Sequence, residues 1–128
     1  MIFGKDLIPR VLDGSKTVTR RPVKWEDTGF EVRNRACKYK VGTTYAVQPA
    51  IESGAGKGRG GKGIARILIL DVRRGLLGGV DAGEAQLEGF PSVVHFRRYW
   101  CHLYDVARFD STRLVDRIEF ELLPQEDA

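Results

Sequence analysis

The chain has 128 residues, 42% of them hydrophobic and 30% charged, with a formal net charge of +4. That length fits a single domain over residues 1–128, large enough to bury a core without staples. No apolar run reaches the roughly 18 residues of a membrane span, and no positive-then-apolar leader opens the chain, so the expected setting is the cytoplasm.

Leu7, Ile8, Val11 and Leu12 fall at helical spacing. Pro9 fits only a first turn, so the helix is predicted to start near Asp6 to Ile8. Gly14 is a natural residue just past its end. The helix delivers the chain into Gly14-Ser15-Lys16-Thr17-Val18-Thr19-Arg20-Arg21, which packs a lysine, two threonines and two arginines into eight residues. As a strand, it puts Lys16, Val18 and Arg20 on one face and Thr17, Thr19 and Arg21 on the other. Pro22 ends the strand or confines it to an edge.

Residues 23–40 show weak patterning. Trp25 and Phe30 are expected to be partly buried, and Glu26 to Gly29 reads as a turn. Arg33, Arg35, Lys38 and Lys40 form a basic run with Tyr39 and Tyr45 nearby. Such a run is a solvated face or a surface for phosphates and bases. Thr43 to Val47 is rich in strand formers, and Gln48-Pro49 closes it.

Residues 53–63 are basic and glycine-rich, with Lys57, Arg59 and Lys62, and are expected to form a flexible loop. Its Gly56-x-Gly58-x-x-Gly61 spacing lacks the helix that a dinucleotide fingerprint requires. Its Gly61-Lys62 lacks the Ser or Thr that would complete a P-loop. Ile64 to Val72, apolar at its centre on both faces, is predicted as a central strand, with Arg73-Arg74-Gly75 leaving the sheet.

Asp81 and Glu84 have capping-box spacing, predicting a short helix to about Glu88 that Gly89 closes. Ser92 caps a second helix whose Val93, Phe96, Trp100 and Leu103 form a core stripe. His95 and His102 lie off that stripe. Leu114 to Leu122 alternates as a half-buried strand, with Ile118, Phe120 and Leu122 on one face. Residues 124–128 are expected to fray. About five strands and three helices, not strictly alternating, give an α+β fold around a barrel-like sheet.

Two cysteines, Cys37 and Cys101, lie far apart and read as reduced thiols; with two histidines and no CxxC pair, neither metal nor cofactor is expected. Charge is uneven along the chain. Residues 1–80 carry 16 Lys and Arg against 7 Asp and Glu, a net of +9, and residues 81–128 carry 5 against 10, a net of −5. A basic body suits a polyanion such as RNA or DNA, unless the two halves neutralise each other.

The helix followed by G-x-K-T-x-T-x-R resembles the signature of ASCH domains, which are similar to PUA domains. Tyr45-Ala46-Val47-Gln48-Pro49, the strand from Ile64, Glu84-Ala85-Gln86-Leu87-Glu88-Gly89-Phe90 and the terminal strand follow in that family's order, as in its longer bacterial and phage members. The resemblance implies a PUA-like pseudo-barrel of about five to six mostly antiparallel strands with helices at the rim. It implies binding of nucleic acid, RNA foremost, or of a modified nucleoside. Some small members are amidohydrolases that deacetylate N4-acetylcytidine, and others are ribonucleases. The amidohydrolase catalytic residues would correspond to Lys16, Thr19 and Glu88.

Three chemistries fit these residues. In the binding reading, Lys16, Arg20 and Arg21 meet phosphate, Thr17 and Thr19 hydrogen-bond, Tyr45 or Trp25 stacks a base, and Glu88 accepts from an exocyclic amine. Gln48, Lys57, Arg59 and Lys62 complete that set. In the catalytic reading, Thr19 attacks an amide carbonyl, Lys16 takes its proton and Glu88 serves the leaving amine. Lys16 can do so only with a lowered pKa, and strand alternation separates it from Thr19. In the structural reading, Lys16 pairs with Glu88 and joins strand to helix.

Overall fold

The computed structural model describes residues 1–51 and 60–125. Seven strands and three α-helices are formed there: β1 (Ile2–Phe3), α1 (Ile8–Leu12), β2 (Val18–Pro22), β3 (Trp25–Asp27), β4 (Val32–Asn34), β5 (Thr44–Pro49), β6 (Ala65–Leu76), α2 (Ala82–Leu87), α3 (Val93–Leu103) and β7 (Leu114–Leu122). Five strands make one curled half-barrel sheet in the order β1-β5-β6-β7-β2. Only β1 and β5 run parallel; the other pairs are antiparallel. β3 and β4 form a separate two-stranded ribbon. The fold is α+β, as the sequence pattern indicates.

Strand parity builds two cores. Along β7, Ile118 and Phe120 face inward, joining Met1, Phe3, Val11, Val47, Ile67 and Ile69. Val115 faces outward, joining Leu77, Val80, Ala85, Phe96 and Trp100 beneath the helices. Side chains alternate across a strand, so one strand serves both layers. Phe3 and Phe120 meet at 5.6 Å between ring centroids within the inner core. Burying each such side chain contributes about 1.5–3 kcal/mol.

Several helix and strand ends follow local chemistry. Gly14 takes φ +80 after α1 and turns the chain toward β2. Pro22 is tolerated because β2 is a sheet edge. The Asp81 carboxylate accepts from the Glu84 amide at the start of α2, and the Ser92 hydroxyl accepts from the His95 amide at the start of α3.

The central strand departs from expectation at its end. Arg73, Arg74 and Gly75 do not leave the sheet: β6 runs on to Leu76 and stays paired with β7. An irregularity between Ile69 and Asp71 leaves Leu70 as an extra residue. Leu70 is exposed, so part of the two-faced apolar run is a bulge. Gln48 and Pro49 belong to β5 instead of ending it.

The main sheet has the expected five strands, and among the described residues two further short strands form the β3–β4 ribbon; β1 and that ribbon are too short to read by periodicity. Glu26 and Asp27 lie in β3, so the turn expected to begin at Glu26 starts later. Trp25 and Phe30 are not partly buried but 66% and 99% exposed. Leu103 is also exposed, and Tyr104 packs against the outer core instead. Most of the glycine-rich loop, with Lys57 and Arg59, lies outside the described residues.

Candidate functional site

The signature stretch forms the junction between α1, β2 and α2. The Lys16 amide donates to the Arg10 carbonyl, and the Thr17 amide donates to the Leu87 carbonyl. The Thr17 carbonyl accepts from Phe120, tying the stretch to β7. Glu88 caps α2, and Gly89 follows at φ +97, a conformation that favours glycine. Leu7, Lys16 and Arg10 lie around Gly89, so that turn sets Glu88 against Lys16.

The Lys16 side chain is 1% exposed, and its ammonium is fully engaged. Nζ donates to the Val18 carbonyl at 2.7 Å, the Glu88 carbonyl at 2.8 Å and Glu88 Oε1 at 3.2 Å. An ammonium has three protons, and these acceptors use all three. Glu88 Oε2 accepts from Arg20 Nη1 at 2.8 Å. Arg20 Nη2 lies 3.1 Å from Glu84 Oε1, and Arg117 grips both Glu84 oxygens at 2.8 and 3.2 Å. A continuous charge chain thus runs Lys16–Glu88–Arg20–Glu84–Arg117.

Burial lowers the Lys16 pKa to about 8; Glu88 opposes that shift, and Arg21 and Arg20 reinforce it. For Glu84, burial works in the opposite direction, yet hydrogen bonds and charge from Arg117 and Arg20 hold its carboxyl below the usual range.

Cross-strand register extends this cluster. Arg20 pairs with Arg117 on β7, and Arg117 pairs with Arg73 on β6. Like charges placed directly opposite one another are unfavourable in a sheet. Glu84 offsets the first pair, and Asp71 sits 2.7 Å from Arg73. Arg20, Arg73, Arg74 and Arg117 line a pocket of about 110 Å³ beside Gly75, Leu76 and Val115. Facing the other way, Arg74 holds the buried Asp116 carboxylate through two hydrogen bonds.

The structure brings Lys16, Arg20 and Glu88 together. Thr19 is buried beside Ile118, while Arg20 lies beside Arg117, so the two side chains take opposite sides of β2. No hydrogen bond joins the Thr19 hydroxyl to Lys16 or Glu88. Thr17 is half-buried. Arg21 donates to the Ile2 carbonyl at 2.6 Å and lies over the Phe3 ring, drawing β2 toward β1.

Tyr45 and Gln48 sit on β5 with partners of their own. The Tyr45 hydroxyl accepts from the Lys40 amide and donates to the Lys38 carbonyl, and Gln48 donates to the Gly61 carbonyl. Lys62 is exposed.

The sequence pattern does not mark Glu84, Arg117, Arg73 or Arg74 as site residues. Spacing could have pointed to Glu84, since it lies four residues before Glu88 and therefore on the same helix face. Arg117 owes its position to register between distant strands, which the sequence does not display.

No family model matches the sequence, and no curated protein matches it. Solved structures do. An ASCH domain from Lactobacillus crispatus superposes with a TM-score of 0.54 at 19% identity, covering 89% of this chain and 68% of that one. The chain has an ASCH-like fold. A DUF984 protein from Enterococcus faecalis gives a TM-score of 0.58 at 18% identity, covering 92% of this chain and 67% of that one. At these identities the ASCH-like likeness is one of fold, and site chemistry has to be argued from the residues themselves. Among the described residues, no helix is long and apolar enough to cross a membrane.

Proposed function

We propose that this protein is a single ASCH-type domain that binds nucleic acid, RNA foremost, or a modified nucleoside. The observation that carries this reading is the pocket of about 110 Å³ on the face where Arg20, Arg117 and Arg73 from three adjacent strands lie in a row; Arg74 borders it, but its guanidinium is engaged with Asp116 on the other face. Guanidinium groups suit phosphate because they offer paired donors in a fixed fork. Arg20 and Arg117 share the Glu84 carboxylate. Arg73 is largely exposed and, among the described residues, paired only with Asp71, its neighbour two residues away. Surface pairs of that kind contribute about 0–1 kcal/mol, so a phosphate can compete for Arg73 at little cost. The buried Lys16–Glu88 junction then fixes β2 and α2, which carry Arg20 and Glu84.

Fluorescence anisotropy with short RNA and DNA, titrated across salt, tests this reading. Affinity is expected to fall steeply with salt as counterions are released. Arg73→Gln should weaken binding to all sequences alike and reduce the logarithmic salt slope by about one. Affinity indifferent to salt, or an unchanged slope in Arg73→Gln, would count against the phosphate pocket.

A second reading, hydrolysis of an acylated nucleoside, draws on the Lys16 pKa lowered to about 8 beside Glu88. Above that pH the neutral amine can accept a proton, so a hydrolase working through Lys16 would speed up as pH rises through 8. Incubation with N4-acetylcytidine at pH 7 and pH 9 is the direct assay. Turnover that rises with pH and disappears in Lys16→Ala would favour the hydrolase; no turnover at either pH would remove it.

A further inference from the structure

We propose that the β3–β4 ribbon is a stacking platform for single-stranded nucleic acid, with Trp25 and Phe30 receiving bases. The inference rests on the reading of the protein as a nucleic-acid binder and adds a second surface to it. Pairing of Trp25 with Asn34 and of Asp27 with Val32 puts these four residues on one face of the ribbon. Phe30 projects from the connecting turn, where the Asp27 and Thr28 side chains accept backbone amide hydrogen bonds. Trp25 is 66% exposed, Val32 65% and Phe30 99%. A ribbon this short gains little stability from side chains left mostly in solvent, so its aromatics suit a partner.

The charge around the ribbon selects that partner. Lys24, Arg33, Arg35, Lys38 and Lys40 are exposed along residues 24–40, against Glu26, Asp27 and Glu31, a net of +2. Arg33 and Arg35 share Glu26, with Glu31 also near Arg33. Lys24 and Lys40 form no ion pair among the described residues. The apolar face is broken by Asn34 and Asp27, which suits separate bases better than a continuous protein interface. Aromatic rings accept any base by its flat face, while cations track the backbone.

The ribbon also adjoins the arginine pocket. Arg74, which follows Arg73 at the pocket's border, turns its guanidinium to the other face of β6 and donates from Nη2 to the Arg35 carbonyl at 2.7 Å, which ties the ribbon to the strand that carries Arg73. Arg33, Asn34 and Arg35 in turn line a second open pocket with Glu26 and Ala36. The two basic surfaces thus belong to neighbouring elements joined through Arg74.

Intrinsic fluorescence provides the test, because Trp25 is exposed and Trp100 is buried. Wild-type protein, Trp25→Leu and the double variant Trp25→Leu with Phe30→Ala are titrated with a 12-nucleotide oligouridylate, its oligothymidylate counterpart and a 12-base-pair duplex. The wild type is expected to show quenching by single strands, absent in Trp25→Leu, and affinity about tenfold weaker for each aromatic removed. The duplex should quench little. The altered side chains are exposed, and an unchanged near-ultraviolet signal from Trp100 confirms folding of each variant.

Single-strand affinity equal to wild type in the double variant would overturn the platform while leaving nucleic-acid binding intact. A wild-type protein that binds none of the three probes at low salt would overturn both readings. A wild-type dimer in sedimentation that the double variant loses, without any quenching by oligonucleotide, would assign the ribbon to self-association.

Discussion

Glu88→Ala is expected to destabilise the protein by about 3–5 kcal/mol, the usual cost of removing one partner from a buried ion pair. The carboxylate holds Lys16 through one oxygen and Arg20 through the other, and both cations are nearly sealed from water. Without it, Lys16 keeps two carbonyl acceptors but no counter-charge, and Arg20 keeps only Glu84. Carbonyl dipoles cannot repay the desolvation of an ammonium as a carboxylate does. Urea unfolding followed by circular dichroism measures the loss. The paired change Lys16→Met with Glu88→Gln removes cation and anion together and should recover most of it. A Glu88→Ala midpoint equal to wild type would show that this carboxylate does not hold the junction.

The same lysine gives the protein an unusual alkaline response. Its folded pKa of about 8 lies below the 10.5 of an ordinary lysine. Between those values the unfolded chain binds the extra proton, so stability rises with pH across the window. Below pH 8 both states are protonated and the cost of burying the charge is present in full; above 10.5 it is gone. The swing is on the order of 3 kcal/mol at about 1.4 kcal/mol per pKa unit.

Two half-buried tyrosines act in the opposite sense. Burial raises the pKa of Tyr99 and of Tyr104, so the stability they contribute declines above about pH 10. Lys16→Met retains both tyrosines, so the difference between wild type and variant isolates the amine. Stability measured at half-unit steps from pH 7 to 10 should show the wild type gaining on the variant as pH rises. A flat difference would mean that Lys16 titrates normally.

Much of this architecture can be read along the chain. Gly14, Pro22, Asp81, Ser92 and Gly89 mark element ends, because each satisfies a local backbone requirement. The apolar alternation of β7 and the stripe of α3 likewise locate the two cores. The Lys16–Glu88 pair was among the readings the residue types allowed, and the opposition of Lys16 and Thr19 was visible in strand parity.

What stayed hidden depends on distant register. Nothing local to Arg117 says that it will lie between Arg20 and Arg73, since those partners come from strands far apart in sequence. The β3–β4 ribbon escaped notice because three-residue strands show no period, and Trp25 and Phe30 were expected to follow the general tendency of aromatics to be buried.

The extra residue at Leu70 sets the parity of everything after it in β6. Upstream, Ile67 and Ile69 point into the inner core; downstream, Val72 packs against it opposite Ile118, and Arg74 takes the same face opposite Asp116. Odd positions face inward before the bulge and even positions after it. A loss or gain of one residue between Leu70 and Arg73 would therefore exchange the two faces. Arg73 would turn toward Asp116 and leave the row it forms with Arg117 and Arg20. A change of two would preserve the faces and merely slide the strand. For this strand, insertions and deletions are thus tolerated by even or odd count, and the arginine row persists only in sequences that keep the bulge's phase.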